Sequence, residues 1–200
     1  MVDELISGVR RFVTDVVPGK RELFAGLADG QAPATLVITC ADSRVDPSLI
    51  TQTNPGDLFV VRNAGNIVPL LDSDDSSGDS TAASIEYAVS VLNVAHIVVL
   101  GHSGCGAMKG LADLDSLESL PSVARWLEHS AALLDSTDLN DTDGLIEANV
   151  VLQLEHLASY PFVAAKLDTG DINLHGWVYD IGSGDVRAYD GEAFVSLLAE

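Results

Sequence analysis

Three short stretches of this chain are apolar almost without interruption: Thr35-Leu36-Val37-Ile38-Thr39, Leu58-Phe59-Val60-Val61 and Ile97-Val98-Val99-Leu100. A strand with one face in water alternates apolar and polar residues. A continuous apolar run of this length suits a strand covered on both faces, as in a parallel sheet between layers of helices. The intervening segments carry helical spacing. Asp3 to Val17 places Leu5, Val9, Phe12, Val13 and Val16 on one stripe and stops at Pro18-Gly19. A second short helix is expected over Lys20 to Leu27, and a helical turn over Pro47 to Thr51. Ser80 or Thr81 is placed to cap a helix running to Leu92. Further helices are expected from Cys105, from Pro121 to Leu134 and from Gly144 to Ser159. Asn173 to Asp180 and Asp185 to Tyr189 read as strands around the Gly182-Ser183-Gly184 turn, and a last helix is expected to close the chain. Asp72 to Ser80, acidic and serine-rich, reads as a surface loop. The pattern predicts an α/β fold: a single domain with a mostly parallel central sheet flanked by helices, without repeat or linker.

Composition excludes several functions. Hydrophobic residues make up 47% of the 200 residues, enough for a substantial core without disulfides. The net charge of −20 repels nucleic-acid phosphates. No apolar run approaches the roughly 20 residues of a membrane span. The N-terminus lacks a basic segment followed by an apolar one, so no signal peptide is expected and the cytoplasm is the expected location. The only lysines are Lys20, Lys109 and Lys166. A folded, acidic, lysine-poor chain resembles the proteins of salt-accumulating organisms, where a Debye length of about 3 Å at molar salt screens self-repulsion.

Ligands of such folds sit beyond the carboxyl ends of the strands. Cys40 ends the first apolar run, and His102 and Cys105 follow the third. Two cysteines can form a disulfide or pack as small core residues. Placed at two strand ends with a histidine, they read instead as three zinc ligands, which leaves the fourth tetrahedral position open, as catalytic zinc sites require. The glycines at 101, 104 and 106 are expected to let the loop bend tightly around one ion. Asp42 and Arg44 fit a supporting pair: a guanidinium fork holds a carboxylate ionised and oriented, and the carboxylate fixes the direction of a metal-bound hydroxide. Asp42, two residues from Cys40, is also a conditional fourth ligand.

Cys40-Ala41-Asp42-Ser43-Arg44-Val45-Asp46-Pro47, the block from Pro55 to Asn66, Ser84 to Val89, Gly101-His102-Ser103-Gly104-Cys105-Gly106 and Leu174 to Asp180 together resemble the β-class carbonic anhydrases. The match extends from Gln31 to Asp180. The resemblance implies one zinc ion per subunit on Cys40, His102 and Cys105, the Asp42–Arg44 pair, and reversible hydration of CO2 to bicarbonate and a proton by zinc-bound hydroxide. It implies the plant-like, open-site subtype. In that subtype Gln31, nine residues before Cys40, donates to the substrate, Phe59 and Tyr87 line the CO2 pocket, and Gly106 lies at the substrate. Ala64 stands where a larger Val is common, and Val37 where bicarbonate-regulated members carry Trp. The family fold also implies a homodimer or dimer of dimers, with residues 1–30 as a helical arm. Carbon disulfide or carbonyl sulfide hydrolysis on the same zinc site, and a non-catalytic zinc scaffold closed by Asp42, are the competing readings. His96, His175 and Trp177 are expected to be structural.

Overall fold

Residues 36–40 and 97–102 of the two central strands are buried, and that decides the architecture. The structure, a computed structural model, describes residues 1–71 and 80–198. The chain forms two compact units, Met1–Ala32 and Pro33–Glu200.

In the first unit, α1 (Val2–Arg11) runs on through a π-helical turn at Phe12–Val16 and a 3₁₀ turn at Val17–Lys20 into α2 (Arg21–Ala28). Pro18 supplies no amide hydrogen, which ends the regular helix. The Phe12 and Phe24 rings meet edge to face at 5.7 Å.

The second unit opens with β1 (Thr35–Cys40), α3 (Pro47–Thr51) and β2 (Leu58–Asn63). It continues with α4 (Ser80–Glu86), extended by a π-helical turn at Tyr87–Val91, then β3 (His96–His102) and α5 (Gly106–Ala112). Then come α6 (Pro121–Leu127), α7 (Leu133–Ser136), α8 (Thr142–Ser159), α9 (Pro161–Thr169), β4 (Asn173–Tyr179), β5 (Val186–Tyr189) and β6 (Phe194–Ser196). The strands form one six-stranded sheet in the order β2-β1-β3-β4-β5-β6. β2, β1, β3 and β4 are parallel, and β5 and β6 are antiparallel additions. β1 and β3 lie inside the sheet, which accounts for their uninterrupted apolar sequence.

Alternation sorts the core into two layers. Leu36, Ile38, Ile97 and Val99 join the larger cluster with Ile85, Leu145, Val150 and Leu157, whereas Val37, Val98 and Leu100 form a smaller one with Val45. α8 packs so close to the sheet that a Cβ on Gly101 would lie 2.8 Å from Val150 Cγ2.

The observed elements depart from the expected ones in three places. Among the described residues the closing helix is absent: residues 194–196 form β6, whose Val195 pairs with Ala188 of β5, so sheet hydrogen bonding overrides the helical tendency of the segment. The single helix over Pro121 to Leu134 is broken into α6, a 3₁₀ turn at Glu128–Ser130 and α7, with the Ser130 hydroxyl turned inward to Asn149. α9 was not anticipated. Pro161 at its first turn and Gly170 at φ +74 after its end mark it in hindsight. The loop expected over Asp72 to Ser80 lies outside the described residues except for Ser80, which begins α4.

Candidate metal centre

Parallel strands deliver their carboxyl ends to one edge. Cys40 closes β1, His102 closes β3, and Cys105 immediately precedes α5. Their donor atoms all lie within 4.8 Å of one another, and all three residues are buried. Zinc bonds of about 2.0–2.3 Å call for tetrahedral donors roughly 3.5–3.8 Å apart, so small adjustments close this set on one ion. Of the three loop glycines, Gly104 takes the left-handed conformation, at φ +65, that turns the chain between His102 and Cys105. Gly101 serves the close contact with α8 instead, and Gly106 opens α5 with open space around its Cα, so neither bends the loop as expected.

His102 carries the sharpest signal. Its ring is fully buried, and Nδ1 lies 3.0 Å from the Ser103 carbonyl oxygen, to which it donates. In the neutral ring this leaves the lone pair on Nε2. By hydrogen-bond geometry Nε2 is buried without a partner: the Cys40 and Cys105 sulfurs lie within 4.8 Å and Asp42 Oδ2 at 3.8 Å. Buried polar atoms are rarely left this way. Burial disfavours charge on the ring, yet the Cys40 sulfur, the Ser103 carbonyl and Asp42 outweigh it and raise the His102 pKa. A buried imidazole nitrogen beside two sulfurs is a set that one metal ion can bridge. Within the cysteine pair, the hydrogen bond from Cys105 is the largest influence on Cys40 and lowers its pKa against the opposing effect of burial. The Cys105 thiol is pushed up by the same bond and by its own burial. Two sulfurs and an imidazole nitrogen with its lone pair exposed to the cluster fit zinc.

Asp42 and Arg44 sit in the loop after β1. Arg44 Nε donates to Asp42 Oδ1 at 2.9 Å and Nη2 to Oδ2 at 2.7 Å, a two-pronged pair. The Arg44 amide adds a third bond to Oδ1 at 3.0 Å. The side-chain bonds from Arg44 chiefly hold the Asp42 carboxyl well below the usual range. The loop is anchored on both sides. Arg62 donates to the Cys40 and Asp42 carbonyls, and Asp46 caps α3 through the Ser48 and Leu49 amides.

Phe59 and Tyr87 have ring centroids 6.0 Å apart. Phe59 and Ala64 line a cleft of about 520 Å³ together with Thr81, Ser84, Val123 and Trp126. Gln31 lies in the first unit and is exposed. His96 and His175 bond to each other across β3 and β4, with Nδ1 to Nε2 at 3.2 Å, and take no part in the cluster.

Several supporting residues escaped the sequence reading. Asn149, Gln153, His156 and Tyr160 recur on the buried face of α8 and at its end and grip the segment from Gly65 to Pro69. Asn149 Nδ2 donates to the Gly65 carbonyl at 3.0 Å, Gln153 Oε1 accepts from the Val68 amide at 2.7 Å, and Tyr160 donates to the Pro69 carbonyl. His156 Nδ1 pairs with the Val68 carbonyl at 2.7 Å. The Gly65 amide in turn donates to the Cys40 sulfur at 3.4 Å. Polar residues at helical spacing within an apolar stripe were the signal available.

The chain is similar to known proteins over most of its length. The family model described as "Carbonic anhydrase" matches residues 35–186. A carbonic anhydrase of Pseudomonas aeruginosa is 47% identical over 203 residues, covering 97% of this chain and 91% of the relative. The solved structure of the β-carbonic anhydrase CcaA superposes with a TM-score of 0.92 at 43% identity, covering 98% of each chain. One of the tetrameric β-carbonic anhydrases of Sordaria macrospora superposes with a TM-score of 0.75 at 30% identity, covering 94% of this chain and 96% of that one.

Proposed function

The chain belongs to the carbonic anhydrase family and to its β class, and from that premise we propose that it holds one zinc ion per subunit on Cys40, His102 and Cys105 and uses Asp42 and Arg44 in catalysis. Its reaction is the reversible hydration of CO2 to bicarbonate and a proton. The observation that carries the site assignment is the buried, unpartnered Nε2 of His102 beside two cysteine sulfurs and a carboxylate already fixed by arginine.

When bound, zinc supplies Lewis acidity that makes water a nucleophile near neutral pH. Cys40, Cys105 and His102 hold the ion, and the Ser103 carbonyl keeps the His102 ring in the tautomer that exposes Nε2. Asp42 has lone pairs beyond those taken by Arg44, and one accepts a hydrogen bond from the attacking oxygen, fixing its direction. Arg44 keeps that carboxylate ionised and stationary. Phe59, Ala64 and Tyr87 provide the apolar surface for CO2 and Gly106 lies at the substrate; the family resemblance assigns Gln31 as the donor to the oxygen on which charge develops, acting across the interface between subunits. Hydration joins the water oxygen to the CO2 carbon and releases one proton to solvent. The intact Asp42–Arg44 pair and Val37 in place of Trp support the plant-like, open-site subtype.

The working form is a homodimer or dimer of dimers with residues 1–30 as its helical arm, a reading supported by the tetrameric Sordaria proteins. We place it in the cytoplasm of a salt-accumulating organism. The 30 acidic against 10 basic residues support that origin. Among the described residues no helix is long and apolar enough to cross a membrane. At equal protein concentration, raising KCl from about 0.1 M to 2 M should raise the unfolding temperature as the Debye length contracts from about 10 Å toward 2–3 Å. An unchanged or lower temperature would refute the halophilic reading.

The deciding experiment is stopped-flow CO2 hydration by zinc-loaded protein between about pH 6.5 and 9, with Asp42→Asn beside it. Turnover that depends on zinc and falls about 10²-fold or more in the variant is expected, since positioned acid–base partners contribute roughly 10²–10⁴-fold. No turnover from folded, zinc-loaded protein would overturn the proposal.

A further inference from the structure

One peptide unit connects the cluster to α6. The N–H of the Ala64–Gly65 peptide, on Gly65, donates to the Cys40 sulfur at 3.4 Å. The C=O of the same peptide, on Ala64, accepts from the Trp126 indole N–H at 2.7 Å. The following carbonyl, on Gly65, accepts from Asn149 Nδ2, and Asn149 Oδ1 is held by Ser130 and Gln153. Gly65 has φ +83, and a Cβ there would lie 2.9 Å from the Ala107 Cβ, so α5 closes on this backbone directly. The peptide is pinned at both ends and cannot pivot away from the sulfur.

We propose that Trp126 is a positioning residue for the zinc site: through the Ala64–Gly65 peptide, its indole N–H aims and strengthens the hydrogen bond that Gly65 donates to Cys40. The inference rests on the reading that Cys40 ligates zinc. An amide whose carbonyl accepts a hydrogen bond becomes a better donor through its N–H, by about 10–30% per bond. A donor on a thiolate sulfur draws electron density from it. Two thiolates nearly neutralise a zinc ion, so the density left on each sulfur sets how strongly the metal polarises water. The indole donor matters here for its direction as well as its strength. It comes from a helix outside the ligand loops, so the peptide plane is fixed independently of the ion. The same side chain lines the cleft beside Phe59 and Ala64, which ties the shape of that cleft to the metal's surroundings.

The test uses the full chain with Trp126→Phe, which keeps an aromatic ring and removes the N–H. A second variant carries benzothienylalanine at 126, in which sulfur replaces the indole N–H with the shape retained. Two readouts look past activity: the charge-transfer band between thiolate and cobalt in cobalt-substituted protein, and the Gly65 amide proton resonance in the zinc protein. Both variants should shift the band to lower energy and the Gly65 proton upfield. If either the band or the Gly65 proton stays in place in a folded variant, the inference is overturned. If the unaltered protein binds cobalt without a thiolate band, the zinc-site reading fails first and this inference with it.

Discussion

Replacing Gln153 should unsettle the segment behind the metal cluster, and the structure gives the size of the effect. Gln153 is fully buried, accepts from the Val68 amide and donates to Ser130 Oγ and Asn149 Oδ1. In Gln153→Ala the Ser130 and Asn149 oxygens keep the bond they already share, but the buried Val68 N–H loses its acceptor. An orphaned buried donor costs about 1–3 kcal/mol. The volume left by the amide and its methylene adds about 1 kcal/mol. The total is about 2–4 kcal/mol, or a fall of roughly 5–15 °C in unfolding temperature for a chain of this size. Gln153→Met separates the two contributions, because it fills most of the space and offers only a weakly accepting sulfur in place of the amide oxygen; about 1–3 kcal/mol should remain. Urea unfolding of both variants at one protein concentration is the assay, since assembly would otherwise alter the apparent stability. A Gln153→Met protein within about 0.5 kcal/mol of the parent would refute the argument that Val68 depends on this acceptor.

Two further predictions concern the same helix. Gly101→Ala should destabilise by about 1–3 kcal/mol, because its new methyl would lie 2.8 Å from Val150 Cγ2. Combination with Val150→Ala should recover part of that loss, and strictly additive effects in a double-mutant cycle would show that the contact is not the cause. Burial, partly offset by the Val68 carbonyl and Glu155, lowers the His156 pKa below its ordinary 6.5. Between the folded value and 6.5 the unfolded chain binds more protons, so the stability from neutral His156 is complete above that window and declines as pH falls through it. His156→Gln should flatten the loss of denaturation midpoint between about pH 7 and 5 relative to the parent; parallel slopes would count against the assignment.

The order of strands and helices is legible in the sequence where one physical demand acts on many neighbouring residues. β1 and β3 are covered on both faces, so every residue of Leu36-Val37-Ile38 and Ile97-Val98-Val99 is apolar, and the parallel sheet follows. Cys40, Asp42, Arg44, His102 and Cys105 are legible for a related reason: few roles suit those residue types at strand ends, and a short loop sets their spacing. The last residues were misread because a three-residue edge strand has too little pattern of its own. Phe194–Ser196 is a strand only because β5 offers it unpaired backbone groups.

What the tertiary structure decided is the hydrogen bonding that crosses long stretches of chain. Trp126 and Ala64 are far apart in sequence, as are Asn149 and Gly65, and Gln153 and Val68. A tryptophan on a helix and an asparagine in an apolar stripe carry no mark of the carbonyl they will meet, because a hydrogen bond depends on an ångström of distance and a direction that the packed helices alone set. The sequence by itself determined which atoms are available to a metal. The fold determined how those atoms are held: the His102 tautomer, the Asp42 carboxylate on its arginine fork, and the Gly65 amide aimed at the Cys40 sulfur.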